Sequence, residues 1–498
     1  MTDHLEVRRG AYYDSVSLMQ VSRHVAAAPG VQAAQVAMAT ELNLEVIAGM
    51  GFRIPEDVQP NELVVAVRGD DDAVAAGVAA LEEMLATLKS AGAHAAGFGE
   101  APPPRTLGAA VAQSGATLAM VSVPGQYATI EALDALGRGV SVMLFSDNVP
   151  VEDEVRLKEL AAEADLLVMG PDCGTAVVAG VAFGFANVVR RGSVGLVAAS
   201  GTGAQQLMAL LDAGAVGVSH CLGVGGRDLS AAVGGRSTRQ ALAALDADPD
   251  TSSIIVVSKP PAPEVLVDLE RYAAGLATPV HWAILGAGRP DLTAATEAAL
   301  AAMGADPPSW PSWEGAAQHP VGGYLRGLFC GGTLADEAML LASGQLGGIR
   351  SNIPLAPELA LGADLRADDH LVIDFGDDTL TRGRPHPMID PSLRLERVAA
   401  EAADPLCGVL LLDLVLGHGA HPDPAPELAA AIRAARETAG RDLPVVVSLT
   451  GTTDDPQGLS RSADTLQQAG AAVFLSNAQA TRRAVSLVAG PDRKDVSR

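Results

Sequence analysis

Positive charge is what this 498-residue chain lacks most: 34 Lys and Arg stand against 59 Asp and Glu, a formal net charge of -25. With no local basic patch to offset it, that charge argues against a nucleic-acid partner and against an anionic membrane surface, both of which would repel the chain. Long apolar runs are missing too. Segments such as "TSSIIVVS" and "LCGVLLLDLVLG" are too short to span a bilayer, and the opening "MTDHLEVRRG" has no apolar core of the kind a signal peptide needs. A cytoplasmic protein is expected. Cysteine is scarce: Cys173, Cys221, Cys330 and Cys407 lie far apart with no CxxC pair, which argues against a structural zinc site and a disulfide framework and leaves free thiols. Apolar residues are plentiful at 48%, against 19% charged, enough for roughly two to four domains with buried cores.

From Leu5 to Lys89 the pattern runs strand, helix ("YDSVSLMQVSRHVAAA"), strand ("GVQAAQVAM"), a Gly-marked break, strand ("ELVVAVRG") and helix ("DAVAAGVAALEEMLATL"). That is the order of a small ferredoxin-like or ACT-like α+β unit, placed at residues 1–96. Asp14 or Ser15 can cap the first helix, and "GDDD" from Gly69 to Asp72 sets carboxylates at the positive end of the second. Gly97 to Thr106, rich in Pro and Gly, reads as a linker. Beyond it, continuous apolar strands alternate with amphipathic helices, the pattern of parallel doubly wound sheets. Residues 106–191 and 192–305 form two such units, the Pro- and Trp-bearing break "GADPPSWPSWEG" ends them, and residues 318–498 repeat the layout of 192–305. Both copies open with a Gly-rich loop before a helix, "ASGTGAQQLMALL" and "FCGGTLADEAMLL", and both are read as flavodoxin-like. Ligands of such sheets bind outside the carboxyl ends of the strands, which sets "VPGQ", "FSDN" and "GPDCG" on one rim.

The stretch Ser200-Gly201-Thr202-Gly203 carries the first chemistry. Its glycines let a ligand approach the backbone, and the helix behind them offers unpaired N–H groups and the positive end of its dipole, so an anion can be held without basic side chains. The alternative is a Ser200 cap on a tight strand-to-helix turn. A second Gly-rich loop, "GVGGRDLS", offers Gly225 and Gly226 with Arg227 for bidentate contact to a phosphate or carboxylate, or else an Arg227–Asp228 surface pair. "MGPDCGTA" sets Asp172 and Cys173 at a strand end, Cys173 reading as a small buried hydrophobe. In the second copy "LVLGHGAHPDP" places Gly417, His418 and Gly419 after a buried strand, and "SLTGTTDDPQG" places Thr450, Gly451 and Thr452 after the next. His418 and His421 lie in a Pro-broken loop rather than on one helical face, so no metal site is read there. His386 sits between two prolines, either as a structural turn residue or as a proton carrier oriented by Asp390.

These segments, with "YYDSVSLM", "SVPGQYA", "GFANVVRRG", "HPMIDPSLR" and "SNAQA", resemble over essentially the whole chain the FdrA family, proteins related to the alpha subunit of succinyl-CoA synthetase. The resemblance implies a truncated Rossmann-like CoA-binding-type domain at 106–191, and synthetase-type ligase domains at 192–305 and 318–498. It also implies that Ser200–Gly203 and Gly417–Ala420 face each other as two helix mouths around one phosphate. Three departures matter. After "PVHWAILG" the chain reads "AGRPDLTAAT" with no histidine where the synthetases phosphorylate one; "SKPP", Ser258 to Pro261, replaces the Gly-Gly motif whose acid orients it; and the Gly-rich first turn of the CoA site and an ATP-grasp domain are absent. Some family members are linked to oxamate carbamoyltransferase activity with separate partner subunits. The resemblance therefore implies a subunit handling a small substrate as an acyl or carbamoyl phosphate, with Ser200–Gly203 on the phosphate, Arg227 on the substrate carboxylate, and Asp172 or His386 handling the proton. Phosphate or the acyl phosphate is the ligand, no cofactor is fixed, and coenzyme A and a homo-oligomer stay open. An acyl-CoA synthetase with altered residues and a non-catalytic scaffold are the other two readings.

The missing histidine makes a prediction. Incubation with labelled ATP should leave no acid-labile phosphohistidine on this chain, and stoichiometric label mapping to His386, His418 or His421 would show that another histidine has taken over the relay.

Overall fold

A computed structural model gives the fold and describes residues 2–92, 104, 106–315, 318–381 and 385–489, apart from 12, 14 and 56. Asp14 and nearly all of the expected linker lie outside these residues. The chain divides into two compact units, Met1–Ala116 with Asp378–Asp390, and Thr117–Asp377 with Pro391–Arg498.

The first unit runs β1 (Thr2–Arg8), α1 (Ser15–Ala26), β2 (Ala33–Met38), α2 (Glu41–Gly49), β3 (Leu63–Gly69), α3 (Asp71–Gly92) and α4 (Leu107–Ser114). Its antiparallel sheet has the order β1-β3-β2, three strands of a ferredoxin-like arrangement. Alternation along β3 sends Leu63, Val65 and Val67 to a core with Val21, Val25 and Leu81, and Val64 and Ala66 to a second core with Ile47 and Phe52. The second core is the work of α2, which fills what the sequence marked only as a Gly-bearing break. At the start of α3, Asp70 accepts the Ala73 N–H at 2.8 Å and Asp71 and Asp72 occupy the first turn, as the helix dipole favours.

The second unit begins with β4 (Leu118–Val121), α5 (Gly125–Leu136), β5 (Ser141–Leu144), α6 (Val151–Glu163) and β6 (Val168–Met169), a parallel sheet of order β4-β5-β6. The next stretch holds β7 (Thr175–Val178), β8 (Val181–Gly184), β9 (Arg191–Ala199), α7 (Gly201–Ala213), β10 (Val218–Gly223), α8 (Arg236–Ala247), β11 (Ser253–Ser258), α9 (Pro263–Ala273), β12 (Val280–Ile284) and α10 (Leu292–Ala302). Its sheet order is β12-β11-β9-β10-β7-β8, so the hairpin β7–β8, which precedes residue 192, joins this sheet antiparallel to β10 rather than the sheet before it. The last stretch holds β13 (Ser312–Trp313), β14 (Tyr324–Phe329), α11 (Gly332–Leu346), β15 (Arg350–Ser351), β16 (Leu371–Asp374), α12 (Asp378–Thr381, of the first unit), α13 (Ser392–Ala403), β17 (Cys407–Val415), α14 (Pro424–Ala439), β18 (Val445–Thr450), α15 (Leu459–Gln468), β19 (Ala471–Phe474) and α16 (Asn477–Ala489). The order β13-β19-β18-β17-β14-β16-β15 contains the flavodoxin-like sequence of parallel strands, and the preceding sheet follows the same rule around β9. The repeat read in the sequence is thus a repeat of topology. All four cysteines are free and buried, and no helix among the described residues is long and apolar enough to cross a membrane.

Buried amides join the two flavodoxin-like domains. From α7, Gln206 donates to the Leu475 carbonyl at 3.1 Å and accepts from the Asn477 N–H at 3.2 Å, while Gln205 donates to the Leu416 carbonyl at 3.3 Å. Gln206→Ala would leave the Leu475 and Asn477 backbone groups unpaired in the interior. It should cost about 2–3 kcal/mol in urea unfolding, against a few tenths for an exposed Gln→Ala.

Candidate functional site

The carboxyl end of β9 leads through Ser200 into α7, and that of β14 leads through Cys330-Gly331 into α11. Ser200 caps α7, its Oγ accepting the Gly203 N–H at 2.9 Å. The same Oγ shares a hydrogen bond of 2.6 Å with Thr333 Oγ1 in the first turn of α11. The two first turns interlock through their glycines. A Cβ on Gly331 would lie 2.8 Å from Thr202 Cγ2, and a Cβ on Gly203 would lie 2.5 Å from Ser200 Oγ and 3.1 Å from Thr333 Cγ2. Glycine is required at both places: at Gly331 the Thr202 side chain of the opposite helix fills the space, and at Gly203 the cap of its own helix, Ser200, does so with Thr333 next to it. The mouth of α7 therefore faces the mouth of α11, not Gly417–Ala420.

The Gly417 region makes a different structure. The Gly417 N–H donates to Gln457 Oε1 at 3.0 Å, the His418 N–H to the Ala186 carbonyl at 2.8 Å and the Thr452 N–H to Asp455 Oδ2 at 2.8 Å. Thr450 Oγ1 donates to Gln206 at 3.4 Å, Gly451 packs on Leu416, and a Cβ on Gly419 would meet the Gly184 carbonyl at 2.8 Å. The Gly417, His418 and Thr452 N–H groups are spent on the protein, and α14 starts only at Pro424. Gly417, His418, Gly419, Thr450, Gly451 and Thr452 are a joint between domains.

Around "GVGGRDLS" the chain is brought against "GPDCG". A Cβ on Gly225 would lie 2.5 Å from the Pro171 carbonyl, and one on Gly226 would lie 3.9 Å from Asp172 Oδ2. Thr175 ties this loop to the α7 mouth, its hydroxyl standing 3.4 Å from a Cβ placed on Gly201. Arg227 pairs with buried Glu154 at 2.9 Å and donates to the Val149 carbonyl at 2.8 Å. Behind it fully buried Lys158 holds Glu154 at 2.7 Å and Asp228 at 2.8 Å, and Asp228 accepts the Ser237 and Thr238 N–H groups that begin α8. Asp228 is a buried cap, not a surface partner of Arg227. Burial pushes the Cys173 thiol far above its usual range, an inert thiol rather than a nucleophile. His386 belongs to the first unit, in a turn where its Nδ1 accepts the Met388 N–H at 3.2 Å and its carbonyl accepts the Asp390 N–H at 3.0 Å. No group of three or more His, Cys, Asp or Glu able to hold a metal ion occurs among the described residues.

Ionisable residues not singled out in the sequence surround the α11 mouth. Asp413, inside the apolar strand β17, accepts the Cys330 N–H at 2.8 Å and the Gly331 N–H at 3.0 Å, and Arg394 pairs with it at 2.6 Å. It shapes the glycine turn. Lys259, from "SKPP", lies 3.9 Å from Asp336, and Asp374 ends β16 beside Gly332. Burial pushes Asp374 up to about 7 and Asp336 up to about 6, with Lys259 drawing each back. The signal for the acids was present in "LLLDLVLG" and "LVIDFG", where a carboxylate interrupts a run too apolar to be a surface strand.

Two family models match the chain: AllF, heavy metal-associated domain, over residues 1–101, and CoA-ligase over residues 328–487. Among relatives, the uncharacterized protein YahF of Escherichia coli (strain K12) is 38% identical over 502 residues, covering 94% of this chain and 95% of that one. The ADP-forming succinate–CoA ligase subunit alpha of Aquifex aeolicus (strain VF5) is 26% identical over 160 residues, 31% of this chain and 51% of that subunit. The solved structure of Ca. Korarchaeum cryptofilum dinucleotide forming acetyl-coenzyme A synthetase 1 with phosphate and ADP aligns with 79% of this chain and 86% of its own at 18% identity, TM-score 0.30.

Asp413→Asn would leave the Arg394 guanidinium buried without its counter-charge and should destabilise the chain by about 3–5 kcal/mol in denaturant unfolding. Replacing both partners, Asp413→Leu with Arg394→Met, should recover much of that loss.

With 38% identity to YahF over nearly its full length and a CoA-ligase match across the second flavodoxin-like domain, the chain belongs to the FdrA family of proteins related to the alpha subunit of succinyl-CoA synthetase.

Proposed function

We propose that this chain is a subunit handling an acyl or carbamoyl phosphate between the mouths of α7 and α11, and within that class a carbamoyltransferase acting between a ureido acid such as oxalurate and phosphate. The observation that carries this reading is the head-on meeting of the two helix starts, linked at 2.6 Å through Ser200 and Thr333. Each first turn has amide groups its own helix cannot satisfy and carries the positive end of a dipole. An anion at the accessible edge of both first turns, beside the interlocked glycines, would serve both. The loop after β12 carries no histidine from Gly286 to Asp291, so phosphate would act directly. A phosphate oxygen would attack the carbamoyl carbon, the C–N bond would break, and the first-turn amides would stabilise the charge that develops.

A second reading, CoA-thioester formation, is favoured by the CoA-ligase match and by relatives named as succinate–CoA ligase alpha subunits. Those relatives are subunits, which supports a need for partner subunits here also. Complexes drawn from the native host separate the two readings: carbamoyl phosphate formed from oxalurate and phosphate supports the first, and a thioester formed from a carboxylate, nucleotide and coenzyme A supports the second.

Ligand binding should appear in stability. Carbamoyl phosphate at about a hundredfold its Kd should add roughly 2.7 kcal/mol, and Thr202→Asp, which sets a negative charge where the anion sits, should abolish the gain. If Thr202→Asp is stabilised as the parent is, the ligand binds elsewhere.

A further inference from the structure

Lys259 follows β11 at the carboxyl edge of one sheet, and Asp374 ends β16 at the carboxyl edge of the other. Both reach one point. A Cβ on Gly332 would lie 2.6 Å from Asp374 Oδ2 and 2.9 Å from Lys259 Nζ, so a carboxyl and an ammonium close on this glycine and leave no room there for a side chain. Asp374 is only 4% exposed. Its Oδ1 accepts the Gly376 N–H at 2.9 Å, while its Oδ2 accepts no hydrogen bond among the described residues. Lys259 is 40% exposed, and its contact with Asp336 at 3.9 Å is too long for a hydrogen bond. Fully buried ion pairs of this chain close tightly, as at Arg394–Asp413 with 2.6 Å and Lys158–Glu154 with 2.7 Å. Lys259 and Asp374 converge on the first turn of α11, and no ion pair joins them among the described residues.

We propose that Lys259 and Asp374 are the substrate-contacting pair of this site, Lys259 anchoring the phosphate and Asp374 carrying the proton. The pairing rests on the phosphate reading of the facing mouths. In the transfer, the C–O bond to phosphate forms as the C–N bond of the ureido acid breaks. The leaving nitrogen takes a proton from the Asp374 carboxyl, and the hydrogen phosphate, losing its own proton as it becomes the mixed anhydride, returns one to Asp374. No electrons are exchanged and no further reactant is consumed. Burial keeps the Asp374 carboxyl at about 7, aided by the nearby charges of Asp413 and Asp377 and opposed by Lys259, so both protonation states are accessible at neutral pH. Asp336, at about 6, faces Lys259 and is the other group that titrates here.

Calorimetry on the full chain tests the pair, using inorganic phosphate and also sulfate, whose charge is constant across the range. As Asp374 ionises through about 7 it repels the anion, so the parent's sulfate Kd should rise about tenfold from pH 6 to pH 8. Lys259→Met should weaken binding at least about tenfold at pH 6, and Lys259→Arg should restore it to within about threefold. Asp374→Asn, isosteric with the parent, should bind sulfate with the change near pH 7 removed and should lower kcat of the assembled complex about a hundredfold or more. Parent binding left unchanged by Lys259→Met, or turnover left unchanged by Asp374→Asn, overturns the pair and leaves the mouth reading standing. A parent chain that binds neither anion overturns both.

Discussion

Two helices meet at their amino-terminal ends in this protein, and the 2.6 Å bond between Ser200 and Thr333 is where they touch. Such a meeting opposes like ends of two macrodipoles, which by itself is unfavourable. The fold holds it by burying what lies behind: nearly all of α7 beyond its first turn is inaccessible, and Gln205 and Gln206 fix it to the second domain. At the α11 end, part of the positive field is answered by Asp413, which takes the two N–H groups at the turn. Interlocked glycines leave no room for further side chains between the mouths, where the hydroxyls of Ser200, Thr202 and Thr333 already lie.

The proposed anion site would need no surplus of basic residues in a chain with a net charge of -25. Its attraction would be local and would come from dipoles held in a partly dry place, where fixed donors act more strongly than in water. Acidic residues are not kept away. Asp336 and Asp374 stand at the rim, but burial raises both, Asp336 to about 6 and Asp374 to about 7, so each ceases to repel an anion once the pH falls below its own value.

Arg227 shows how tertiary packing reassigns a residue. Beside two glycines it reads as a hand for a phosphate or carboxylate, yet its guanidinium neutralises Glu154, which with Asp228 flanks the buried Lys158. An ammonium removed from water needs such company, since a buried charge stripped of its partner costs several kcal/mol. The "GGRDLS" loop thus joins α6 to α8, and Asp172 lies beside its glycines.

Periodicity in the sequence determined the parallel strands, the ferredoxin-like first unit and the doubling of the flavodoxin-like domain, because each depends on how apolar residues repeat along a local segment. Gly-rich loops before α7 and α11 were visible in the same way, since a sharp strand-to-helix turn admits few other residues. Short α2 was not, and neither was the addition of β7–β8 to the sheet of β9, since a strand's neighbours depend on the whole sheet. Tertiary structure alone decided which mouth faces which. "LVLGHGAHPDP" and "FCGGT" both offer glycines after a buried strand, but in the first the amides are used by Gln457 and Ala186, while the second meets Ser200 and Thr202. Hydrogen bonds between residues far apart in the chain leave no spacing to read. For the same reason Lys259 and Asp374, 115 positions apart in the sequence, become neighbours only when the carboxyl edges of two separate sheets are brought together.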